Sequence, residues 1–172
     1  MSKQYKRETV ALHGGLTVDE TTSRGVPIHR TSSYVFRDTE HAANLFGLKE
    51  LGNIYTRLMN PTHDVLEKRV AELEGGGAAL ALASGTSAIF YTIINICRTG
   101  DEVVSSKYLY GGTYTMFNDI LPNMGIKVRF VDPSSIEAIE KAVNEKTRLI
   151  FAETIGNPTL DVTNMSILKE VA

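Results

Sequence analysis

Cysteine, excess charge and long apolar runs are all scarce in this sequence, and each scarcity excludes a class of protein. Cys97 is the only cysteine among 172 residues, so no disulfide can form within the chain. No apolar stretch reaches the roughly 18 residues of a membrane span. Residues 1–8 also lack the apolar segment of a secretory signal. We therefore expect a cytoplasmic protein with no membrane partner.

The composition is that of an ordinary globular domain. Hydrophobic residues make up 42% of the chain, charged residues 22%, and the formal net charge is −2. This balance argues against a disordered tail and against a basic nucleic-acid surface, which leaves small-molecule chemistry as the default. Cys97 follows the apolar run 88–96, a setting that favours a buried, unreactive thiol over a nucleophile. No metal site is predicted.

Residues 1–60 have mixed composition and little periodicity, and glycine and proline interrupt them repeatedly. Only a short patch, residues 33–36, is strand-like. This segment does not predict a core of its own. We expect an N-terminal arm that packs on something else, such as a neighbouring subunit.

From residue 61 onward, helical and strand-like patterns alternate. The first predicted helix covers 62–74 and is ended by Gly75, and the second covers 87–98, is apolar almost all round and closes at Gly100. A third covers 113–121 and is stopped by Pro122. Pro133 opens a fourth, with Ser134 and Glu137 as a capping box, and a fifth runs from Asn164 to Val171. The predicted strands are 78–83, 102–105, 126–131 and 149–152, the first with helix as its alternative. Such alternation predicts an α/β fold with a largely parallel sheet. Because the last helix has no stop signal, we expect an incomplete domain.

A serine–glycine turn precedes the second of these helices. Gly85 and Thr86 would present backbone N–H groups at a helix N-terminus, and Ser84, Thr86 and Ser87 carry hydroxyls. Such N-termini bind phosphate groups. An ordinary tight turn has the same pattern, and it is equally compatible with these residues.

Three further segments place polar or aromatic side chains where a ligand could lie. Tyr55 and Arg57 alternate, so an extended backbone would direct both to one face, where arginine could bind a phosphate. Tyr110 follows a predicted strand, precedes two glycines and could stack on a flat ring. Asn157 follows the last strand and offers an amide. Taken singly, a solvated arginine, a core-capping tyrosine and an Asn-Pro turn explain them as well.

Taken in order, these segments resemble the Cys/Met-metabolism enzymes that use pyridoxal phosphate. The resemblance covers nearly the whole chain. The matching residues are 31–36, Tyr55-Thr56-Arg57 with Asn60-Pro61-Thr62, Leu73-Glu74-Gly75-Gly76, Ser84-Gly85, Tyr110-Gly111-Gly112-Thr113, and Glu153-Thr154 with Asn157-Pro158. The resemblance implies the large domain of an aspartate-aminotransferase-like (fold type I) protein, here incomplete and with an N-terminal arm.

The resemblance also implies roles for individual residues. Ser84, Gly85 and Thr86 are expected to bind the cofactor phosphate. Tyr55 and Arg57 are expected to reach the phosphate bound in a neighbouring subunit, as part of a homotetramer. Tyr110 is expected to stack on the pyridine ring and to assist proton transfer and leaving-group departure, and Asn157 to contact the ring hydroxyl. Thr86 departs from the glutamine or methionine common at its position, which leaves its backbone N–H unaffected.

Three parts of the family's site have no counterpart in this sequence: the aspartate at the pyridine nitrogen, the Schiff-base lysine and the arginine that binds the substrate carboxylate. None of the nine lysines lies in a motif like the family's catalytic one. We therefore expect the 172-residue chain to be inactive alone.

Within the family, residues 44–46 and 52–57 together with 153–158 resemble the O-acetylhomoserine sulfhydrylases. The implied reaction is γ-replacement, in which O-acetyl-L-homoserine and sulfide give L-homocysteine and acetate. A methionine or cystathionine γ-lyase and a cystathionine γ-synthase are the alternatives. Gly112 counts mildly against methionine γ-lyase, where cysteine is common. A nucleotide-binding module would leave Tyr55, Arg57, Tyr110 and Asn157 unexplained.

Overall fold

The computed structural model describes residues 5–172, which form two compact units, one ending at Ala81 and the other comprising Leu82–Ala172. The first unit contains only helices and loops, whereas the second contains a sheet with helices on both faces. No helix within the described part of the chain is long and apolar enough to cross a membrane.

Three helices make up the regular structure of the first unit. They are α1 (Arg7–His13), α2 (Thr39–Phe46) and α3 (Pro61–Glu74). The chain comes very close to α3 just after α1, because a Cβ on Gly15 would lie 2.5 Å from the carbonyl oxygen of Val65, and Gly15 has a φ of +75°. Only glycine fits this approach. Arg69 Nε then donates to the Gly14 carbonyl at 2.8 Å, which fixes the contact.

The structure confirms the helix predicted before Gly75. Asn60 caps α3, Pro61 occupies its first turn and Gly75 ends it in the left-handed conformation with a φ of +65°. By contrast, α1 and α2 were not predicted from the sequence. Each buries a single residue, Val10 in α1 and Leu45 in α2, which is too little to produce a helical repeat of apolar residues.

The second unit is a three-layer α/β structure. Its elements in chain order are α4 (Gly85–Ile96), β1 (Glu102–Ser106), α5 (Gly111–Thr115), a π-helical turn (Met116–Ile120), α6 (Leu121–Asn123), β2 (Lys127–Val131), α7 (Ile136–Ala142), β3 (Thr147–Phe151) and α8 (Met165–Val171). The strands lie in the order β2-β1-β3, and both pairings are parallel. The predicted α/β fold with a parallel sheet is confirmed.

Strand β1 divides the apolar core into two clusters. Val103 and Val104 are both fully buried, and they point to opposite faces because side chains alternate along a strand. Val103 packs with residues of α4 and α5 through α6, whereas Val104 packs with α7 and α8. Cys97 belongs to the first cluster, and its burial raises the pKa of the thiol. The prediction of a buried, unreactive cysteine therefore agrees with the structure.

The strand predicted over residues 78–83 is wrong. Among the described residues, the only hydrogen bond of this backbone runs from the Ala81 N–H to the Glu67 carboxylate at 2.8 Å. Leu80 is 72% exposed. A run of apolar residues becomes a strand only where a neighbouring strand supplies hydrogen-bond partners, and residues 78–83 have none within 5–172.

Three predicted helix features are also wrong in detail. Helix α4 ends at Ile96 before Gly100, and it is not buried all round, since Tyr91 is 53% exposed. Pro122 does not stop its helix, because it lies at the start of α6, where its missing N–H needs no partner.

The cap of α7 is Ser135, not Ser134, and the helix begins at Ile136, three residues after Pro133. Ser135 accepts from the Ala138 N–H at 3.2 Å. Ser134 instead donates both its N–H and its hydroxyl to Asp132. The bond to Asp132 therefore leaves the next serine to cap the helix.

An ion pair with a buried carboxylate joins the start of β1 to the middle of β2. Glu102 is 7% exposed and accepts from Arg129 Nε at 2.5 Å and from Asn144 Nδ2 at 2.7 Å. The hydrogen bonds from Arg129 and then Asn144 lower the pKa of Glu102 to about 2. The Glu102 carboxylate therefore takes up a proton more readily in the unfolded chain than in the folded one. Its hydrogen bonds stabilise the fold fully at pH values above 4.5, the ordinary pKa of the group, and progressively less as the pH falls towards 2.

We predict that Glu102→Gln lowers the free energy of unfolding at neutral pH and has a smaller effect in acid. The reason is that the ionised Glu102 side chain contributes less to the stability of the wild-type fold at a pH where this residue is protonated in the unfolded chain. Urea unfolding at about pH 7 and about pH 3 measures both differences. Glu140→Gln, at an exposed position on α7, is the control. A pH-independent effect of Glu102→Gln would contradict the charged role.

Candidate active site

The carboxyl ends of the three strands lie at one edge of the sheet. Because β1 is hydrogen-bonded to both neighbours in parallel, the loops that follow β1, β2 and β3 leave the sheet side by side. Open parallel sheets bind ligands at this edge. The predicted residues Tyr110 and Asn157 lie in two of these loops.

The serine–glycine turn forms the N-terminus of α4, as predicted. Ser84 caps the helix by accepting from the Ser87 N–H at 3.1 Å, and its hydroxyl donates to the Ser87 hydroxyl at 2.9 Å. The N–H groups of Gly85 and Thr86 have no intrahelical acceptor, and no other acceptor among residues 5–172. A Cβ on Gly85 would meet nothing within 4 Å. This turn therefore offers two free N–H donors beside open space, which suits an anion.

The first turn of α4 and the start of α5 line the same cavity. The cavity has a volume of about 310 Å³ and is lined by Thr86, Ser87, Phe90, Tyr91, Gly112, Met116 and Ile120. It joins the first turn of α4 to the Tyr-Gly-Gly segment. The structure thus places two of the predicted motifs side by side.

Tyr110 lies immediately before α5 and is 52% exposed. Its ring rests on Gly112, since a Cβ there would lie 2.7 Å from Tyr110 Cε1. Its N–H donates to both carboxylate oxygens of Glu153, at 3.1 and 3.0 Å. One face of the phenol ring is therefore supported by backbone, and the backbone itself is bonded to the loop after β3.

Asn157 is exposed in that same loop. Gly156 lies so close to the loop after β1 that a Cβ would be 3.0 Å from Tyr108 Cβ and 3.2 Å from the Tyr108 carbonyl oxygen. The Gly156 N–H donates to the Asp161 carbonyl at 2.8 Å, which closes the loop. Asn157 and Tyr110 are therefore carried by two loops in direct contact.

Lys107 and Asp132 form an ion pair across the carboxyl ends of β1 and β2, at 2.9 Å. Hydrogen bonds from Ser134 and then Lys107 hold the pKa of Asp132 well below its usual range. The hydrogen bond to Asp132 raises the pKa of Lys107 in return. A lysine held as an ammonium is a poor nucleophile, so Lys107 is not suited to covalent catalysis.

Tyr55 and Arg57 belong to the first unit. The predicted extended segment is only partly present: Tyr55 pairs with Ser33 in an antiparallel bridge, and the chain then turns, with the Leu58 N–H bonded to the Tyr55 carbonyl at 2.8 Å. The two side chains are nevertheless adjacent, because the Arg57 guanidinium lies 5.6 Å from the centre of the Tyr55 ring. Both residues are exposed, so the pair is accessible to a ligand or to another protein.

Asn60 holds this turn in place. It is 3% exposed, and its amide donates to the His29 carbonyl at 2.9 Å and to the Thr56 hydroxyl at 3.1 Å. Its oxygen accepts from the Thr62 N–H at 2.9 Å, which caps α3. One buried side chain thus fixes Tyr55 and Arg57 relative to the most regular helix of the first unit.

The fold and the comparisons define the class of protein. A solved O-acetylhomoserine (thiol)-lyase from Campylobacter jejuni, which contains N′-pyridoxyl-lysine-5′-monophosphate, matches with a TM-score of 0.90 and 40% identity over 98% of this chain and 42% of its own. A cystathionine γ-lyase from Lactobacillus plantarum, solved with L-serine, matches with a TM-score of 0.83 and 31% identity over 98% of this chain and 42% of its own. Both are pyridoxal-phosphate-dependent enzymes of fold type I.

The sequence model of a protein family, the Cys/Met metabolism PLP-dependent enzymes, matches residues 8–172 of this chain. The chain therefore belongs to that family. An O-acetyl-L-homoserine sulfhydrylase from Leptospira meyeri is 58% identical over 100% of this chain and 39% of its own length. O-acetyl-L-homoserine sulfhydrylase 1 from Thermus thermophilus is 51% identical over 96% of this chain and 40% of its own length. The chain thus spans about two fifths of the length of these relatives.

The site fits the cofactor of this family. Two free N–H donors and open space at Gly85 suit a phosphate group, and the half-exposed ring of Tyr110 suits a flat heterocycle. In the sequence Glu153 stands out only as part of a motif, and its contact with Tyr110 was not predicted. Their separation of 43 residues left no local signal for that contact.

Proposed function

We propose that the full-length protein containing this chain converts O-acetyl-L-homoserine and sulfide to L-homocysteine and acetate. The main support is the free donor pair at Gly85 and Thr86, because Thr86 lines a cavity together with Gly112, two residues after Tyr110. The relatives named O-acetyl-L-homoserine sulfhydrylase, at 58% and 51% identity, favour this substrate.

In this proposal the phosphate of the cofactor binds at the N-terminus of α4. The N–H groups of Gly85 and Thr86 donate to it, and the hydroxyl of Ser84 orients the turn. On a neighbouring subunit, Arg57 lies beside Tyr55 and would add a guanidinium that can form two parallel hydrogen bonds to this phosphate. When bound, pyridoxal phosphate supplies an electron-withdrawing ring that stabilises negative charge on the substrate carbons.

Tyr110 and Asn157 act at the ring. The Tyr110 ring would stack on the cofactor ring, and its hydroxyl would hold or move the proton needed for acetate to leave. The exposed amide of Asn157 donates to the ring hydroxyl. We assign covalent attachment to a lysine of the full-length protein outside this chain. The 172-residue chain alone would then be inactive.

We also propose a cytoplasmic homotetramer with active sites shared between subunits. Residues 1–60 form the arm that contacts the neighbouring subunit, and residues 61–172 form the first part of the cofactor-binding domain. The exposed, preformed Tyr55–Arg57 pair supports a contact of this kind. A single free, buried cysteine is in keeping with a reducing compartment.

A γ-lyase is the second candidate, because the Lactobacillus plantarum cystathionine γ-lyase shares the fold with a TM-score of 0.83. The two activities differ in the acceptor. The first experiment incubates the full-length protein and O-acetyl-L-homoserine with sulfide, with cysteine or with neither. We expect homocysteine with sulfide. Cystathionine formed from cysteine would instead indicate a γ-synthase, and 2-oxobutanoate formed without an acceptor a γ-lyase.

We predict that Arg57→Ala weakens retention of pyridoxal phosphate by about tenfold or more, because a charge-assisted hydrogen bond contributes about 1.5–3 kcal/mol. Equilibrium dialysis of the full-length protein against the cofactor measures this. Arg24→Ala removes an exposed arginine from the same unit and should leave retention unchanged. Equal retention by both variants would remove Arg57 from the site.

We predict that Tyr110→Phe keeps the ring and cofactor binding but lowers kcat by about 100-fold, because positioned proton transfer contributes about 10²–10⁴-fold. Steady-state kinetics and cofactor titration measure the two effects. Tyr114→Phe is the control, since Tyr114 lies on the same helix and stacks on Phe130. A normal kcat in Tyr110→Phe would exclude the phenol from the mechanism.

A further inference from the structure

We infer that Glu153 is a positioning residue that fixes the place of the Tyr110 phenol by binding its backbone N–H. The expected effect on kcat rests on the proposed function, whereas the expected effect on the position of Tyr110 does not. Its starting point is the contact between the Tyr110 N–H and both Glu153 oxygens, at 3.1 and 3.0 Å.

The Tyr110 carbonyl accepts from the Tyr114 N–H at 3.0 Å, but the Tyr110 N–H has no acceptor other than Glu153 among residues 5–172. Gly111 and Gly112 follow directly, and glycine restricts the backbone less than any other residue. Tyr110 has no side-chain cap bond to α5, since its hydroxyl lies at the far end of a ring. A carboxylate from another strand therefore takes the place of a local capping residue.

The two glycines leave room for the ring itself. A Cβ on Gly112 would lie 2.7 Å from Tyr110 Cε1, whereas one on Gly111 would meet nothing within 4 Å. The ring therefore lies on bare backbone, and no side chain of α5's first two residues locks it. Its direction follows from the orientation of the Tyr110 backbone, and the Glu153 carboxylate holds that backbone.

Glu153 is itself well anchored. Its carbonyl accepts from the Thr163 hydroxyl at 2.7 Å, and the Thr163 N–H donates to the Thr154 carbonyl at 3.0 Å. Thr163 is only 9% exposed. The carboxylate thus transmits the fixed geometry of the β3 loop to Tyr110. The charge also suits its place, because a carboxylate near the start of a helical segment faces unpaired N–H groups.

The test compares three substitutions of Glu153 in the full-length holoenzyme. Glu153→Ala removes the acceptor, Glu153→Asp withdraws it by one methylene, and Glu153→Gln retains an oxygen that can accept the same N–H. Ser135→Ala is the matched control, because it removes a bond to the N-terminus of α7 without touching Tyr110. Three readouts are recorded: amide hydrogen exchange at Tyr110, the visible circular dichroism of the bound cofactor, and kcat and KM separately.

We expect Tyr110 amide exchange to be about tenfold faster or more in Glu153→Ala, since a hydrogen bond to a charged group is lost. We expect an altered cofactor dichroism and a kcat about 10- to 100-fold lower with a nearly unchanged KM, as misplacement of a reacting group produces. Glu153→Gln should recover most of each signal. Ser135→Ala should change none of the three.

Wild-type exchange and dichroism in Glu153→Ala would overturn the inference, as would a glutamine variant no better than alanine. If the alanine variant does not fold, the aspartate variant decides by the same readouts: changed signals support the role, and wild-type signals overturn it. Exchange and dichroism need no substrate. A holoenzyme that makes no homocysteine would therefore refute the proposed function while these two readouts still decide the role of Glu153.

Discussion

The central position of β1 is the constraint on which the rest of the second unit depends. Both edges of this strand are hydrogen-bonded in parallel, all five of its residues are buried, and its two faces belong to different apolar clusters. Neither its direction nor its register can change without disrupting both clusters. The loops after β1 and β3 therefore meet at a fixed place, and this brings Tyr110 to Glu153.

Local signals in the sequence predicted the parts of the fold that depend on local structure. Helix α3 has a capping asparagine, a proline in the first turn and a terminal glycine, and its apolar spacing is helical. The strands predicted over 102–105, 126–131 and 149–152 are all present, the second of them predicted from its alternation of side chains. The serine–glycine turn was predictable for the same reason, since Ser84 to Ser87 are consecutive and form one helix N-terminus.

The predictions failed where tertiary contacts decide. Residues 78–83 have the composition of a strand but no neighbour to pair with among the described residues. Ser134 and Ser135 are equally good caps by sequence, and the hydrogen bonds of Asp132 decide between them. The site shows the same limit, because Tyr110 was identified from its motif while the carboxylate that holds it lies 43 residues away.

The two ends of the candidate site, the α4 turn and the Tyr110–Glu153 contact, should respond differently to amino-acid substitution, because the first depends on local structure and the second on tertiary contacts. The turn at the start of α4 consists of consecutive residues whose free donors are backbone N–H groups, so side-chain substitutions within this turn leave those donors in place, as Thr86 illustrates. The ring end combines segments from the loops after β1 and β3, held by one carboxylate and by close approaches at Gly112 and Gly156. A change at any of these points moves the Tyr110 side chain, to which we assign the proton transfer. Anion binding at the α4 turn should therefore tolerate sequence variation more readily than the proposed turnover does, because the α4 donors do not depend on the tertiary contacts around Tyr110.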